Sequence, residues 1–317
     1  MNKKLLVAAI TAGLMVPGLA AADIKMYGVI QAETGNVDVD NQGAIADTDT
    51  TLMGAGTNGA INGGGPNTIG FKGTEKLGNG LSAYFQIATQ FSTFNNSGNG
   101  IEGRETLVGI KGDGWHTQFG TMNSLYKSAS HKYDPFVATG LQMRATGGVS
   151  NLHNSYADNV GEVHFKSGAW SGGAQLKWED STNNNKVAGA NNTVDSGSWN
   201  GRIMYKANNW EAFAAYIDQD YGRGAGDSDG WKAGGKWSGN GFTLSAVYED
   251  LSASTAGVGN TTRPNGTSNF FTGNGGNAGA GTIKDYDSLS FAATYKLSDA
   301  TTLAATYSDF EFDRTAA

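Results

Sequence analysis

The 317-residue chain has a formal charge of −7, no cysteine, 48 glycines and 4 prolines. This acidic balance lacks the basic footprint of a nucleic-acid binder, and zero cysteine removes disulfide scaffolds and thiolate chemistry. Only 38% of residues are hydrophobic although 14 Phe, 12 Tyr and 7 Trp are present, which suits strands with one apolar and one wet face better than a packed soluble core.

Residues 1–22 have the layout of a secretory signal: Lys3 and Lys4, an apolar run over 5–16, then the small-residue cleavage pattern Ala20-Ala21-Ala22. The run is too short to cross a bilayer as a helix. No later stretch offers 18 consecutive apolar residues, which excludes a helical membrane protein. Export of a strand-built unit over 23–317 is the expectation.

Alternation begins at once: Ile24, Met26, Gly28 and Ile30 share one face, with Lys25, Gln31 and Glu33 on the other. Residues 34–66, rich in Gly, Asp, Asn and Thr, read as one long loop. Its run Asp38-Val39-Asp40-Asn41-Gln42-Gly43 loosely resembles a calcium loop but has no flanking helices, and reads as acidic surface. Strands over 68–75 and 81–90 follow, turned by Gly78-Asn79-Gly80. Two further runs, 104–111 and 118–123, join at Gly112-Asp113-Gly114-Trp115. About thirty residues without a clean period come next, and a connection that long usually has a job.

Alternation then sharpens. Val163 and Phe165 oppose Glu162, His164 and Lys166; Leu176 and Trp178 oppose Gln175 and Lys177. Trp199, Ile203 and Tyr205 oppose Asn200, Arg202 and Lys206, and Trp231 and Trp237 oppose Lys232 and Lys236. Leu244, Ala246 and Tyr248 oppose Ser245 and Glu249, and the last pair turns Leu289, Phe291, Tyr295, Leu303 and Tyr307 outward. The abundant glycine points to turns and loops.

Short Gly/Asn/Asp turns alternate with loops of about 7 to 33 residues, the layout of an all-β transmembrane barrel of antiparallel up-and-down strands. Closure removes strand edges that a bilayer cannot solvate. Trp and Tyr near strand ends match aromatic girdles. The long segment, about 124–158, is then a loop folded inward to narrow the barrel. The alternative is a secreted or surface-exposed β-rich binding protein, such as an adhesin, whose greasy face would be a Val/Ile core rather than Gly, Ala, Trp and Tyr.

The run Ile69-Gly70-Phe71-Lys72-Gly73-Thr74-Glu75-Lys76-Leu77-Gly78-Asn79-Gly80-Leu81-Ser82-Ala83-Tyr84-Phe85-Gln86 closely resembles the first periplasmic hairpin of neisserial and betaproteobacterial general porins of Gram-negative bacteria. Met26-Tyr27-Gly28-Val29, the run 104–110, Phe119-Gly120-Thr121-Met122-Asn123-Ser124 and Tyr295-Lys296-Leu297-Ser298-Asp299-Ala300-Thr301 carry the likeness further. The resemblance implies an outer-membrane homotrimer of barrels, commonly of 16 strands, for passive diffusion of small hydrophilic solutes and ions, without catalysis or cofactor. Thr68 and Thr121 stand where that family usually carries arginines of a basic pore wall. About 13 strands are recognisable, and the chain stops at Asp313-Arg314-Thr315-Ala316-Ala317 without the family's closing strand, which ends in phenylalanine.

Selectivity in such a pore comes from charges facing each other across a narrow, weakly screened gap. The loop supplies Lys127, His131, Lys132, Asp134, Arg144, His153 and Asp158; the wall supplies Lys72, Arg104, Lys166, Lys177 and Arg202. The expected selectivity set is Arg104, Lys127, Lys132, Asp134, Arg144, Lys72, Lys166, Lys177 and Arg202, with no metal ligands. No nucleophile–base pair or paired carboxylates stand at a spacing that argues for catalysis.

Overall fold

The computed structural model describes residues 23–39, 48–54, 67–91, 102–137, 139, 141–143, 157–178, 197–220, 227–253 and 283–314. The expected signal at 1–22 and the loop positions Arg144 and His153 lie outside them. The first strands are β1 (Asp23–Val29), β2 (Glu33–Val39), β3 (Thr48–Gly54), β4 (Asn67–Gly78), β5 (Leu81–Phe91), β6 (Glu102–Gly112) and β7 (Trp115–Met122). A short helix α1 (Leu125–Ala129) and a 3-10 turn (His131–Tyr133) follow. Then come β8 (Ala157–Ser167), β9 (Trp170–Lys177), β10 (Ser198–Ala207), β11 (Trp210–Asp220), β12 (Asp227–Gly239), β13 (Phe242–Ala253), β14 (Ile283–Lys296) and β15 (Thr302–Arg314).

Thirteen strands form one antiparallel sheet in the order β1-β4-β5, then consecutively to β15. Among the described residues no pairing joins β1 to β15. The stretch 34–66, expected as plain loop, contains β2 and β3, which pair only with each other, Glu33 opposite Gly54 and Asp38 opposite Asp49. Thr and Val supply strand propensity there, but the polar composition hides it from a period count.

Two turns are set by left-handed backbone at Asn-Gly. Asn79 and Gly80 have φ of 49° and 78°, and Asn240 and Gly241 have 52° and 81°. Positive φ at both central residues is the hairpin geometry that matches strand twist.

The two faces of the sheet separate as alternation demands. Leu244, Phe291 and Leu303 remain 50%, 49% and 57% exposed on the outer face, whereas Glu162, Gln175, Asn200, Lys232 and Glu249 are buried on the inner one. A sandwich would hide the apolar face and expose the polar one, so the adhesin architecture does not form. Ring pairs Trp170–Tyr205 at 4.8 Å and Phe242–Tyr295 at 4.4 Å mark the short-turn end. Trp199–Tyr216 at 5.1 Å and Trp231–Tyr248 at 5.2 Å mark the other. Two aromatic belts at the ends of an apolar band are what a bilayer's interfaces select.

Glycine is not confined to turns. Gly73 lies under the Phe85 ring and Gly161 under the Trp178 ring, where an added Cβ would come within 2.4 and 2.3 Å of ring atoms. Ring-over-glycine packing covers backbone that glycine leaves bare.

Candidate functional site

The segment after β7 turns onto the inner face of the sheet. Ser124, extended at φ −65° and ψ 150°, accepts the Lys127 N–H at 2.9 Å and starts α1. The helix touches β9, β10 and β11, and the 3-10 turn touches β12 and β13. Tyr126, Ala129, Tyr133 and Met143 pack with Phe213, Ala215 and Ile217 of β11, Val247 and Leu251 of β13, and Ala292 of β14. A dry patch on an otherwise wet wall therefore seats the segment. Each large apolar side chain buried there contributes about 1.5–3 kcal/mol.

Polar anchors surround the patch. Tyr126 Oη donates to Glu249 Oε1 at 2.8 Å, and Lys232 Nζ lies 3.8 Å from the same oxygen and 4.2 Å over the Tyr126 ring. Lys232 Nζ also donates to Ser130 Oγ at 3.1 Å, Arg202 Nη1 to Ser128 Oγ at 2.8 Å, and Ser245 Oγ to the Tyr133 carbonyl at 2.6 Å. A buried charge pair survives only with such partners.

The expected selectivity residues are placed in different roles. Lys132 pairs with Glu211 and lies 5.6 Å from the Tyr133 ring centroid. Asp134 is buried and accepts the Phe136 and Met143 N–H groups at 2.9 and 2.8 Å, folding its own loop. Arg202 holds α1 rather than standing free. Lys127 is half-buried on α1, and its charge acts on Glu105 of β6. Lys177 is half-buried at the end of β9, opposite Val160 and Ser198. Lys166 is exposed near the β8–β9 turn, and Lys72 lies 5.2 Å over the Tyr27 ring. Asp158 accepts from Thr121 Oγ1 at 2.7 Å.

Arg104 reaches the inner face through an irregularity that sequence could not show. Ile87 pairs with Thr106 but Thr89 with Gly103, so Ala88 opposes both Arg104 and Glu105. Such a bulge interrupts strict alternation. Arg104 Nη1 reaches Gln90 Oε1 at 3.4 Å and Glu105 Oε2 accepts from Gln86 Nε2 at 2.6 Å, both on the inner face. A simple period of two, counted from the outward Val108 and Ile110, would have sent Arg104 to lipid and Glu105 inward, so Glu105 is a wall residue that alternation offered and the expected set leaves out.

Two charged regions result. Against β1 and β4–β7 a cavity of about 450 Å³ is lined by Lys25, Lys72, Lys111, Tyr84, Gln86 and Gln118. Beneath the loop Glu211 pairs with Lys206 of the wall and with Lys132 of the loop itself, and Lys236 and Arg202 lie close enough to act on Lys132. Burial, and then the fields of Lys236, Arg202 and Lys206, pull the Lys132 ammonium down to about 8, while its Glu211 contact acts in the opposite direction. Alternation placed Lys206, Lys232, Lys236 and Glu249 on the polar face, yet nothing in the period tells which of them lie beneath the loop.

The Gram-negative porin family model matches residues 7–315. An outer membrane porin protein of Bordetella pertussis is 32% identical over 183 residues, covering 54% of this chain and 46% of the relative. A major outer membrane protein P.IB of Neisseria meningitidis serogroup B is 35% identical over 129 residues, covering 39% and 35%. The matched part thus spans less than half the length of either relative. Among solved structures, an anion-selective porin from Comamonas acidovorans aligns with a TM-score of 0.65 at 15% identity, covering 92% of this chain and 79% of that one. Salmonella typhi OmpF aligns at 0.58 with 15% identity, covering 90% and 78%; both likenesses give the barrel fold. With its strands, apolar outer face and inward-folded segment, the chain belongs to the Gram-negative porin family, proteins of the outer membrane.

Proposed function

We propose that the chain forms a water-filled pore for passive diffusion of small hydrophilic solutes and ions, narrowed by the segment beginning at Ser124. The observation that carries this reading is a loop seated on the polar inner wall while the outer wall stays apolar. Lys127 and Lys132 on the segment, and Arg104, Lys72, Lys166, Lys177 and Arg202 on the wall, give the passage a mild anion preference despite the acidic total. Arg144 belongs to the same set by its place in the sequence, and Asp134 acts by shaping the loop. The family resemblance also points to a homotrimer in outer-membrane lipid, with a cleaved signal at 1–22.

Reconstitution in planar bilayers should give stepwise, ohmic conductance; a folded but electrically silent preparation overturns the reading. Arg104→Ala should move the reversal potential under a salt gradient toward cations, and an unchanged potential removes Arg104 from the selectivity wall.

A further inference from the structure

Glu162 lies on the inner face of β8, only 5% exposed, and touches neither α1 nor the 3-10 turn through any contact described above. It nevertheless ends a one-way chain of hydrogen bonds that begins at the helix. The Tyr126 N–H donates to Asn200 Oδ1 at 3.1 Å, and Asn200 Nδ2 donates to Gln175 Oε1 at 2.6 Å. Gln175 Nε2 donates both to the Asn123 carbonyl at 2.9 Å and to Glu162 Oε1. The other carboxylate oxygen accepts from Gln118 Nε2 at 2.6 Å and meets His164 Nε2 at 2.7 Å. The donor-only Tyr126 N–H, the acceptor-only Asn123 carbonyl and the acceptor-only Glu162 carboxylate all demand the same orientation of both amides, so the carboxylate reinforces a relay that runs in one direction from the helix to β8.

We propose that Glu162 is a positioning residue for the pore loop, setting the seat of α1 at a distance through the ordered amides of Gln175 and Asn200. This deepens the pore reading and rests on it. The charged groups around Glu162 are His164 on its own strand, His116 of β7 stacked on His164 at 4.1 Å, Glu105 of β6 and Arg202 of β10. The phenol of Tyr84 on β5 joins them through Gln118.

The test is Glu162→Gln, which keeps shape but loses the charge and sets an N–H donor against one of the two amide donors that the carboxylate accepts. Measured in about 1 M salt, where screening acts within about 3 Å, a lost wall charge has little direct effect on current. Loss of a charge-assisted bond should raise the unseated population of α1 about tenfold, equivalent to about 1.4 kcal/mol. Open-channel noise then rises and the conductance level shifts, while Asp113→Asn, an exposed carboxylate in the β6–β7 turn, leaves both unchanged. In a Gln175→Leu background the added effect of Glu162→Gln vanishes. Equal noise and conductance in Glu162→Gln, or an undiminished effect in that background, overturns the proposal.

The chain has no cysteine, so spin labels at Lys127→Cys and Asp299→Cys read the same seat without current. Their distance distribution should broaden in Glu162→Gln, and an unchanged width overturns the relay. A silent wild type would strike the pore reading alone, leaving this distance measurement to decide on Glu162.

Discussion

Replacing Tyr126 by phenylalanine isolates one anchor. The side chain is 1% exposed, and its hydroxyl donates to Glu249, itself 0% exposed. Phenylalanine keeps the ring, its packing and its place 4.2 Å beneath Lys232, so only the hydroxyl is lost. A hydrogen bond to a charged group contributes about 1.5–3 kcal/mol, and the buried carboxylate loses that donor. Urea unfolding of the chain folded into liposomes should therefore show about 2 kcal/mol of destabilisation. Tyr126→Leu should add roughly 1 kcal/mol or more by removing the desolvated cation–π contact. Burial first, and then the Glu249 charge, hold the phenol well above its ordinary value of 10.0. The folded chain thus binds this proton more tightly than the unfolded one. The anchor's contribution is complete below pH 10 and fades as pH rises beyond it. A Tyr126→Phe change within about 0.5 kcal/mol of wild type, the scatter of an ordinary surface substitution, would refute the reasoning. So would full additivity with Glu249→Gln, since the two groups share one bond.

Two other outcomes are expected. With Lys132 held down to about 8, raising pH from about 7 to 9 removes its charge; anion preference in reversal-potential measurements should fall over that range in wild type and stay flat in Lys132→Met. Phe291, 49% exposed in the middle of β14, faces the apolar band, so Phe291→Arg should lower stability in liposomes by roughly 2–4 kcal/mol, while a shift near zero would place that face away from lipid.

The fold was legible because a period of two is a physical consequence of the pleat, and a wall between lipid and water must obey it at almost every strand. Val163 against His164, or Leu244 against Ser245, needed no coordinates. Where one register slipped, the rule failed locally: the bulge opposite Ala88 turned both Arg104 and Glu105 inward. The inner patch was harder still. Phe213, Ile217, Val247 and Leu251 face inward because α1 and the 3-10 turn cover them, and that burial depends on residues far apart in sequence, as with Tyr133 and Phe213 or Tyr126 and Glu249. No local pattern carries such a partnership. Asp134 was hidden for a different reason: its carboxylate is occupied by backbone N–H groups of its own segment, two and nine residues on, in a stretch with no period to read.

The seat on β9–β13 also makes the interior lopsided. In the proposed pore this leaves passage to the side of β1 and β4–β7, where Lys72, Gln86 and Lys111 border the open space. Trimming or enlarging those side chains adjusts the size cutoff while the opposite wall keeps its grip on the helix. The sieve and its support are thus separable, and substitution can alter one with the other left intact.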